Sequence, residues 1–273
     1  MANITLICCT IYPKLALLFL KSISAPIKDI NLKIILVNSS TINFDLSSID
    51  SDISKLIDIL EAPGLSLSQA RNLALSFAGN VDIIAFPDDD CTYPPGLIDR
   101  VVAFYNENSD NTCKGISFPF PGSSKQTTMK IRLNDIFGSL ISFNFFIFNP
   151  GAICFNENFG IGAKYDFGEE SELVARILGK SHYIYYDQNF LIDHPIKDTL
   201  SISRSYRRGC GIGAFLYITS SYIKFSKAIQ IKLLLGSLVK SFVLLAKLKF
   251  RYSLHSFVNG IGRLMGFFRA IAK

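Results

Sequence analysis

Through residue 120 the chain alternates short, nearly unbroken apolar runs with segments whose apolar residues recur every three or four positions. Runs such as Ile4-Thr5-Leu6-Ile7-Cys8-Cys9 and Ile34-Ile35-Leu36-Val37 suit strands buried on both faces. The pattern predicts strands near 3–9, 32–38, 82–87 and 114–118, and helices near 13–23, 52–60, 66–79 and 94–108. Strands separated by helices make βαβ units, so the fold class is α/β with a mostly parallel central sheet flanked by helices. Beyond 120 the texture changes. The Pro/Gly/Ser-rich run Pro119 to Ser124 predicts a mobile loop, and Phe143, Phe145, Phe146 and Phe148 predict an apolar strand or helix whose ordinary meaning is core. Gly151–Phe155 predicts a strand, Gly168–Gly179 a helix with acids in its first turn, Tyr183–Tyr186 a strand, and Ile192-Asp193-His194-Pro195 a turn.

Farther on, Leu234, Leu235, Leu238, Phe242 and Leu245 recur at three- and four-residue steps, while Lys232, Gly236, Lys240 and Lys247 fall on the opposite face. A second amphipathic segment runs from Phe257 to Ile271 and carries Arg263, Phe267, Phe268 and Arg269. Charge sharpens this picture. The formal net charge of +6 conceals an acidic body and a basic tail: all 22 Asp and Glu lie before residue 199, and residues 199–273 hold 13 Lys and Arg with no acid. Because those cations are interleaved with Leu, Ile, Val and Phe, the expected partner is an anionic membrane surface and not nucleic acid. Without a charge-free stretch near the roughly 20 residues of a spanning helix, the tail is expected to lie in the interface, the alternative being a helical pair packed on the domain. These readings divide the chain into a domain at 1–215 and a tail at 216–273. Six cysteines without metal-ligand spacing and an N-terminus without a basic leader predict reduced, buried thiols, no signal peptide, and a peripheral protein on the cytoplasmic side of the cell membrane.

The candidate chemistry starts at Phe86-Pro87-Asp88-Asp89-Asp90-Cys91, where an apolar strand ends in three adjacent carboxylates with no cation nearby in sequence. In parallel sheets, ligands bind beyond the carboxyl ends of the strands. A divalent metal with a phosphate ligand would relieve the repulsion there, and so would a solvated acidic turn capping the helix that starts at Pro94-Pro95. Glu169 and Glu170 read either as helix N-terminal acids or as a general base. His194, before a proline, reads either as a structural histidine or as a metal ligand.

Taken in order, Pro63-Gly64-Leu65-Ser66 with Ala70-Arg71-Asn72, Phe86 to Pro95, Gly160-x-Gly162-Ala163, Gly168-Glu169-Glu170-x-Glu172-Leu173, Asp193-His194-Pro195 and Arg207-Arg208-Gly209-Cys210-Gly211 resemble the family 2 glycosyltransferases of the GT-A fold. The likeness covers roughly residues 3 to 215. It implies that Asp88 and Asp90 form the D-x-D pair, Asp88 meeting the ribose and, with Asp90 and His194, the metal, which would be Mg²⁺ or Mn²⁺. It implies Glu170, beside Glu169, as the catalytic base, and Asn38, Arg71, Asp88, Asp89, Arg207 and Arg208 around the nucleotide sugar. The donor implied is a nucleoside-diphosphate sugar, a UDP-sugar by first choice. The reaction implied is inverting transfer to a lipid-linked or polysaccharide acceptor in surface polysaccharide assembly. Two departures stand out: Asn38-Ser39-Ser40 follows strand 2 where the family has a base-reading Asp, and Glu170 stands where Asp is usual. A nucleotidyltransferase is the enzymatic alternative, weakened by Thr10-Ile11-Tyr12-Pro13 in place of a Gly-rich phosphate loop after strand 1. A catalytically silent nucleotide-sugar binder at the membrane is the other.

Overall fold

The computed structural model describes residues 1–24, 30–108, 110–123, 127, 129–195 and 201–272. Its strands are β1 (Ala2–Thr10), β2 (Ile30–Asn38), β3 (Ile57–Glu61), β4 (Ile83–Ala85), β5 (Cys113–Ser117), β6 (Met129–Ile131), β7 (Phe145–Phe148) and β8 (Tyr183–Tyr186). Its helices are α1 (Pro13–Ser22), α2 (Ser51–Ser54), α3 (Leu67–Ser76), α4 (Leu97–Glu107), α5 (Glu169–Leu178), α6 (Ile202–Thr219), α7 (Lys227–Ala246) and α8 (Phe250–Ile271). Two compact units result. Met1–Phe155 with Lys180–Ile196 hold the strands, and Asn156–Gly179 with Lys197–Lys273 hold α5 to α8. The expected division after residue 215 falls inside α6, and α5 groups with the tail helices.

In the first unit the sheet runs β3-β2-β1-β4-β7-β5-β8-β6. The pairs β1–β2, β1–β4, β2–β3 and β5–β8 are parallel, while β7 and β6 are antiparallel to their neighbours. The unbroken apolar runs of β1 and β2 fill the centre of the sheet, where both faces are covered and no polar alternation is needed. Phe19 and Leu20 of α1 and Val101 of α4 are buried with Leu6, Ile34, Phe118 and Phe146 in one core.

The expected helix over 52–60 is corrected. Asp50 caps a single turn by accepting from Asp52 N at 2.8 Å, and the chain then becomes β3. The outer edge of β2 would otherwise carry unpaired peptide groups; β3 pairs with it in parallel register, Asn38 opposite Glu61. Ile57 and Ile59 pack on the core while Asp58 alternates outward.

The expected strand at Gly151–Phe155 is corrected too. The four phenylalanine-rich residues before it form β7, and positive φ at Asn149 and Gly151 turns the chain out of the sheet. Phe155 is instead pinned individually: Asn72 Nδ2 donates to its carbonyl at 3.0 Å and Asn72 Oδ1 accepts its N–H at 2.7 Å. In the expected loop from Pro119, Ser124 lies outside the described residues. The six cysteines are free thiols, as expected, but Cys154 is exposed and not buried.

In the second unit α6 and α8 meet through small residues. A Cβ at Gly213 would stand 1.9 Å from the Arg263 carbonyl oxygen, and one at Gly266 would stand 2.0 Å from that of Cys210. Gly209 and Gly262 meet the facing backbones in the same way. Small residues four apart let helix backbones approach closely. Against α8, α7 turns Leu233, Ser237 and Ser241 inward, with Ser237 Oγ donating to Ser256 O at 2.9 Å and Ser253 Oγ to Ser241 O at 2.8 Å. Of the apolar stripe expected on α7, Leu235, Phe242 and Leu245 are exposed, beside Ile231 and Val239. By length and composition α7 is able to cross a membrane, and 17% of its most apolar 18-residue window is buried.

Candidate active site

The first cluster sits past the carboxyl end of β4. Asp88 is held beside Cys9 of β1 by an isolated parallel bridge. Thr92 N donates to Asp193 O at 2.9 Å and Asp193 N to Thr92 O at 3.1 Å, which joins the acidic loop to the one carrying His194. His194 Nε2 consequently lies 3.0 Å from Asp90 Oδ1 and 3.7 Å from Asp88 Oδ2. One ligand atom from each of Asp88, Asp90 and His194 falls within 4.8 Å of the other two. Behind the imidazole, Phe143 stacks with its centroid 4.4 Å away and its plane within 5°, so the Phe-rich stretch serves both the core and the site wall.

The counter-charge missing from the local sequence comes from α3. Arg71 Nη2 reaches Asp88 Oδ1 at 3.5 Å, and Ser142 Oγ donates to the same oxygen at 3.0 Å. The Arg71 side chain is 2% exposed, its guanidinium lying 5.8 Å from the Phe86 ring centroid and 5.2 Å from that of Phe155. Desolvation by the surrounding protein raises the Asp88 carboxyl above the usual value; Arg71, Ser142 and His194 pull it back down, and Asp90 pushes it up. The donor set of two carboxylates and an imidazole suits a hard divalent ion of the Mg²⁺ or Mn²⁺ kind.

Two more of the expected residues of this unit, Asp89 and Asn38, are held by hydrogen bonds within it. Asp89 Oδ2 accepts from Thr10 Oγ1 at 2.7 Å, and Thr10 Oγ1 in turn accepts from Tyr12 N at 2.9 Å, so Asp89 fastens the turn after β1. Asn38 is 0% exposed. Its Nδ2 donates to Ile42 O and to Glu61 Oε2, both at 2.7 Å, and its Oδ1 accepts from Ser40 N at 3.1 Å and Ser40 Oγ at 2.7 Å. Every hydrogen-bonding position of that amide is therefore satisfied within the protein. Ser142, Thr10 and Phe143 belong to the site by contact alone; no motif spacing marked them.

The second cluster lies in the other unit, at the N-terminus of α5. Gly168 adopts φ +110° as N-cap, and Glu169, Glu170 and Glu172 follow in the first turn, where the helix dipole favours negative charge. All three are buried, yet they differ. Glu172 is structural: Arg176 binds it in a fork at 2.7 and 2.9 Å, and Tyr222 OH donates to it at 2.7 Å. Glu170 lies in the field of Arg208, whose guanidinium stacks 4.8 Å from the Phe167 ring centroid. Burial lowers the Arg208 pKa, and the nearby Glu170 raises it. Arg207 is exposed and pairs with Asp166 at 3.1 Å. Gly211 of α6 lets the Phe167 carbonyl come close, since a Cβ there would stand 2.6 Å from that oxygen.

A mostly parallel α/β sheet with a carboxylate and imidazole cluster beyond β4 places a candidate ligand site at the carboxyl ends of the strands, as in the α/β domains that bind ligands there. The chain belongs to glycosyl transferase family 2, whose family model matches residues 9–162. No curated protein sequence matches it. The fold is similar to that of the 1–349 fragment of S. aureus TarS, with TM-score 0.60 and 15% identity over 98% of this chain and 81% of that one; another structure of the fragment is a complex with UDP. It is also similar to the mannosyltransferase PcManGT from Pyrobaculum calidifontis in complex with GDP-Man and Mn²⁺, with TM-score 0.63 and 14% identity over 96% of this chain and 86% of that one. Against a longer S. aureus TarS structure the match covers 89% of this chain and 44% of that one, at TM-score 0.57 and 15% identity, so this chain spans less than half of that protein's length. At these identities the structural likeness establishes the fold.

Proposed function

We propose that the protein is a metal-dependent, inverting glycosyltransferase that moves a sugar from a nucleoside-diphosphate donor to a lipid-linked or polysaccharide acceptor at the cytoplasmic face of the membrane. The single observation that carries this reading is the convergence of Asp88, Asp90 and His194, with Arg71 behind them, at the strand end of a family 2 chain. Solved structures of similar fold hold UDP in one case and GDP-Man with Mn²⁺ in another, which supports a nucleotide-sugar donor and a divalent ion. The D-x-D reading assigns Asp88 also to the ribose, and Asp88, Asp90 and His194 to the ion. A bound divalent ion would neutralise charge on the departing diphosphate. Arg71 favours the charged form of Asp88 against its burial and orients it, Phe143 fixes the plane of the imidazole, and the arginines Arg207 and Arg208 are suited to forked contacts with phosphate oxygens.

Glu170 takes the proton of the acceptor hydroxyl as that oxygen bonds to the anomeric carbon and the bond from that carbon to the diphosphate oxygen breaks. Attack from the side opposite the leaving group inverts the anomeric centre. The basic, outward-turned apolar surfaces of α7 and α8 support an acceptor at an anionic membrane and a role in surface polysaccharide assembly. The test is transfer from a panel of radiolabelled nucleotide sugars to membrane extracts, with the product anomer read by NMR. Transfer is expected only with a divalent ion and is lost in Asp90→Asn and Glu170→Gln; near-normal turnover in either variant rejects the assignment.

A further inference from the structure

Glu61 stands at the carboxyl end of β3, the edge strand, in a position that no motif assigned. It lies opposite Asn38 in the β2–β3 register, and Asn38 lies opposite Thr10 in the β1–β2 register. The ends of three neighbouring parallel strands therefore form one ledge on the side of the sheet that carries Asp88. Three strand intervals of about 4.8 Å put Glu61 roughly 14 Å from the acidic cluster, a separation on the scale of a nucleotide from its phosphates to its base.

Two features make the ledge suited to a base. Asn38 donates to Glu61 Oε2 at 2.7 Å, orienting an exposed carboxylate that keeps further acceptor positions for a ligand. Along the ledge, Ile11 and Tyr12 just after β1 and Ile42 after β2 are exposed, Tyr12 at 62%, and Ile42 is tied to the same amide through its carbonyl. An aromatic ring and aliphatic side chains on the same ledge as one oriented acceptor offer both a stacking face and an edge contact.

We infer that Glu61, oriented by Asn38, reads the base of the donor nucleotide and selects bases whose central ring nitrogen carries a hydrogen. This rests on the nucleotide-sugar reading of the Asp88 cluster. Uracil and guanine present that N–H to a carboxylate. Cytosine and adenine present a lone pair at the equivalent nitrogen, which sets two acceptors against each other. The amide at position 38 fits this role, because an aspartate there would place a second negative charge against Glu61, whereas Asn38 supplies a donor.

Isothermal titration of the full chain in Mg²⁺ with UDP, GDP, CDP, ADP and inorganic pyrophosphate tests this. UDP and GDP are expected to bind at least tenfold more tightly than CDP and ADP. In Glu61→Ala that preference disappears and UDP and GDP weaken about tenfold, while pyrophosphate binds as before. Glu61→Gln, which keeps an acceptor for Asn38 but no charge, is expected to show an intermediate loss with an unchanged melting temperature, separating base reading from folding. If Glu61→Ala and Glu61→Gln bind pyrophosphate and retain the full base preference, the inference is overturned and the nucleotide-sugar reading survives. If the unaltered protein binds neither pyrophosphate nor any of the nucleotides, both fall together.

Discussion

His194 Nε2 lies 3.0 Å from Asp90 Oδ1 because the backbones of Thr92 and Asp193 exchange two hydrogen bonds. The acid and the imidazole come from distant parts of the sequence, so the pairing depends on a scaffold that neither loop supplies alone. His194→Ala should reduce Mn²⁺ affinity by at least tenfold without loss of fold, since it removes one ligand from a preformed set. Electron paramagnetic resonance titration of free Mn²⁺ reads this directly; unchanged affinity would remove His194 from the metal site.

The three glutamates of α5 should separate cleanly. Glu172→Ala leaves Arg176 and Tyr222 without the carboxylate they share and is expected to cost about 3 kcal/mol in urea denaturation. Glu170→Gln should unfold near the wild-type midpoint and lose sugar transfer. Equal destabilisation by both changes would make Glu170 another structural acid of the helix N-terminus.

Thr10→Val keeps the shape of a nearly buried side chain but removes the donor to Asp89 and the acceptor for Tyr12. Hydrogen bonds to charged groups contribute about 1.5–3 kcal/mol, and a loss in that range is expected by chemical denaturation. A change below about 0.5 kcal/mol would show that water replaces the hydroxyl at Asp89.

Glycine in a helix interior ordinarily costs 0.5–1 kcal/mol relative to alanine, which makes the tail helices a controlled comparison. At Gly236 an added Cβ meets nothing closer than Lys232 Cγ at 3.6 Å, so Gly236→Ala should raise stability by about that amount. At Gly213 the same atom would stand 1.9 Å from a carbonyl oxygen, so Gly213→Ala should lower it. Thermal melts of the two variants shifting in the same direction would count against the close α6–α8 contact.

Membrane association should need both halves of the tail's character. Sedimentation with vesicles containing anionic lipid is expected to bring down the protein at low salt, to weaken as salt screens the cations, and to fall further in Phe242→Ser with Phe257→Ser. Full-length protein that ignores such vesicles at low salt would leave the exposed apolar residues of α7 and α8 without a lipid partner.

Much of this was legible in the residues. The runs in β1 and β2 and the carboxylates after β4 announce a parallel sheet and its ligand edge, because burial on both faces leaves a distinctive unbroken pattern. Residues 52–60 misled because Ile57, Ile59 and Leu60 fit a helical face as well as a strand; the open edge of β2, a tertiary fact, decided it. The unbroken apolar run Phe145-Phe146-Ile147-Phe148 of β7 carries no periodicity, so strand and helix could not be told apart there, and the irregular path after Asn149 was hidden. Arg71 could be read from its motif but not its contact with Asp88, and Ser142 had no signal beyond being a polar residue in an aromatic stretch. The occupation of Asn38 by Ile42, Ser40 and Glu61 is likewise a product of strand register, invisible from the residue alone.

Helices that meet backbone to backbone need no large side chains at the crossing, and α8 leaves much of its apolar bulk uncovered. The bulk is spent outward, through Tyr252, Leu254, Phe257, Met265 and Phe268. A bench consequence follows: monodispersity of the purified protein will be governed by the amphiphile in the buffer more than by its pH, and a mild detergent will act on this unit as a missing outer layer.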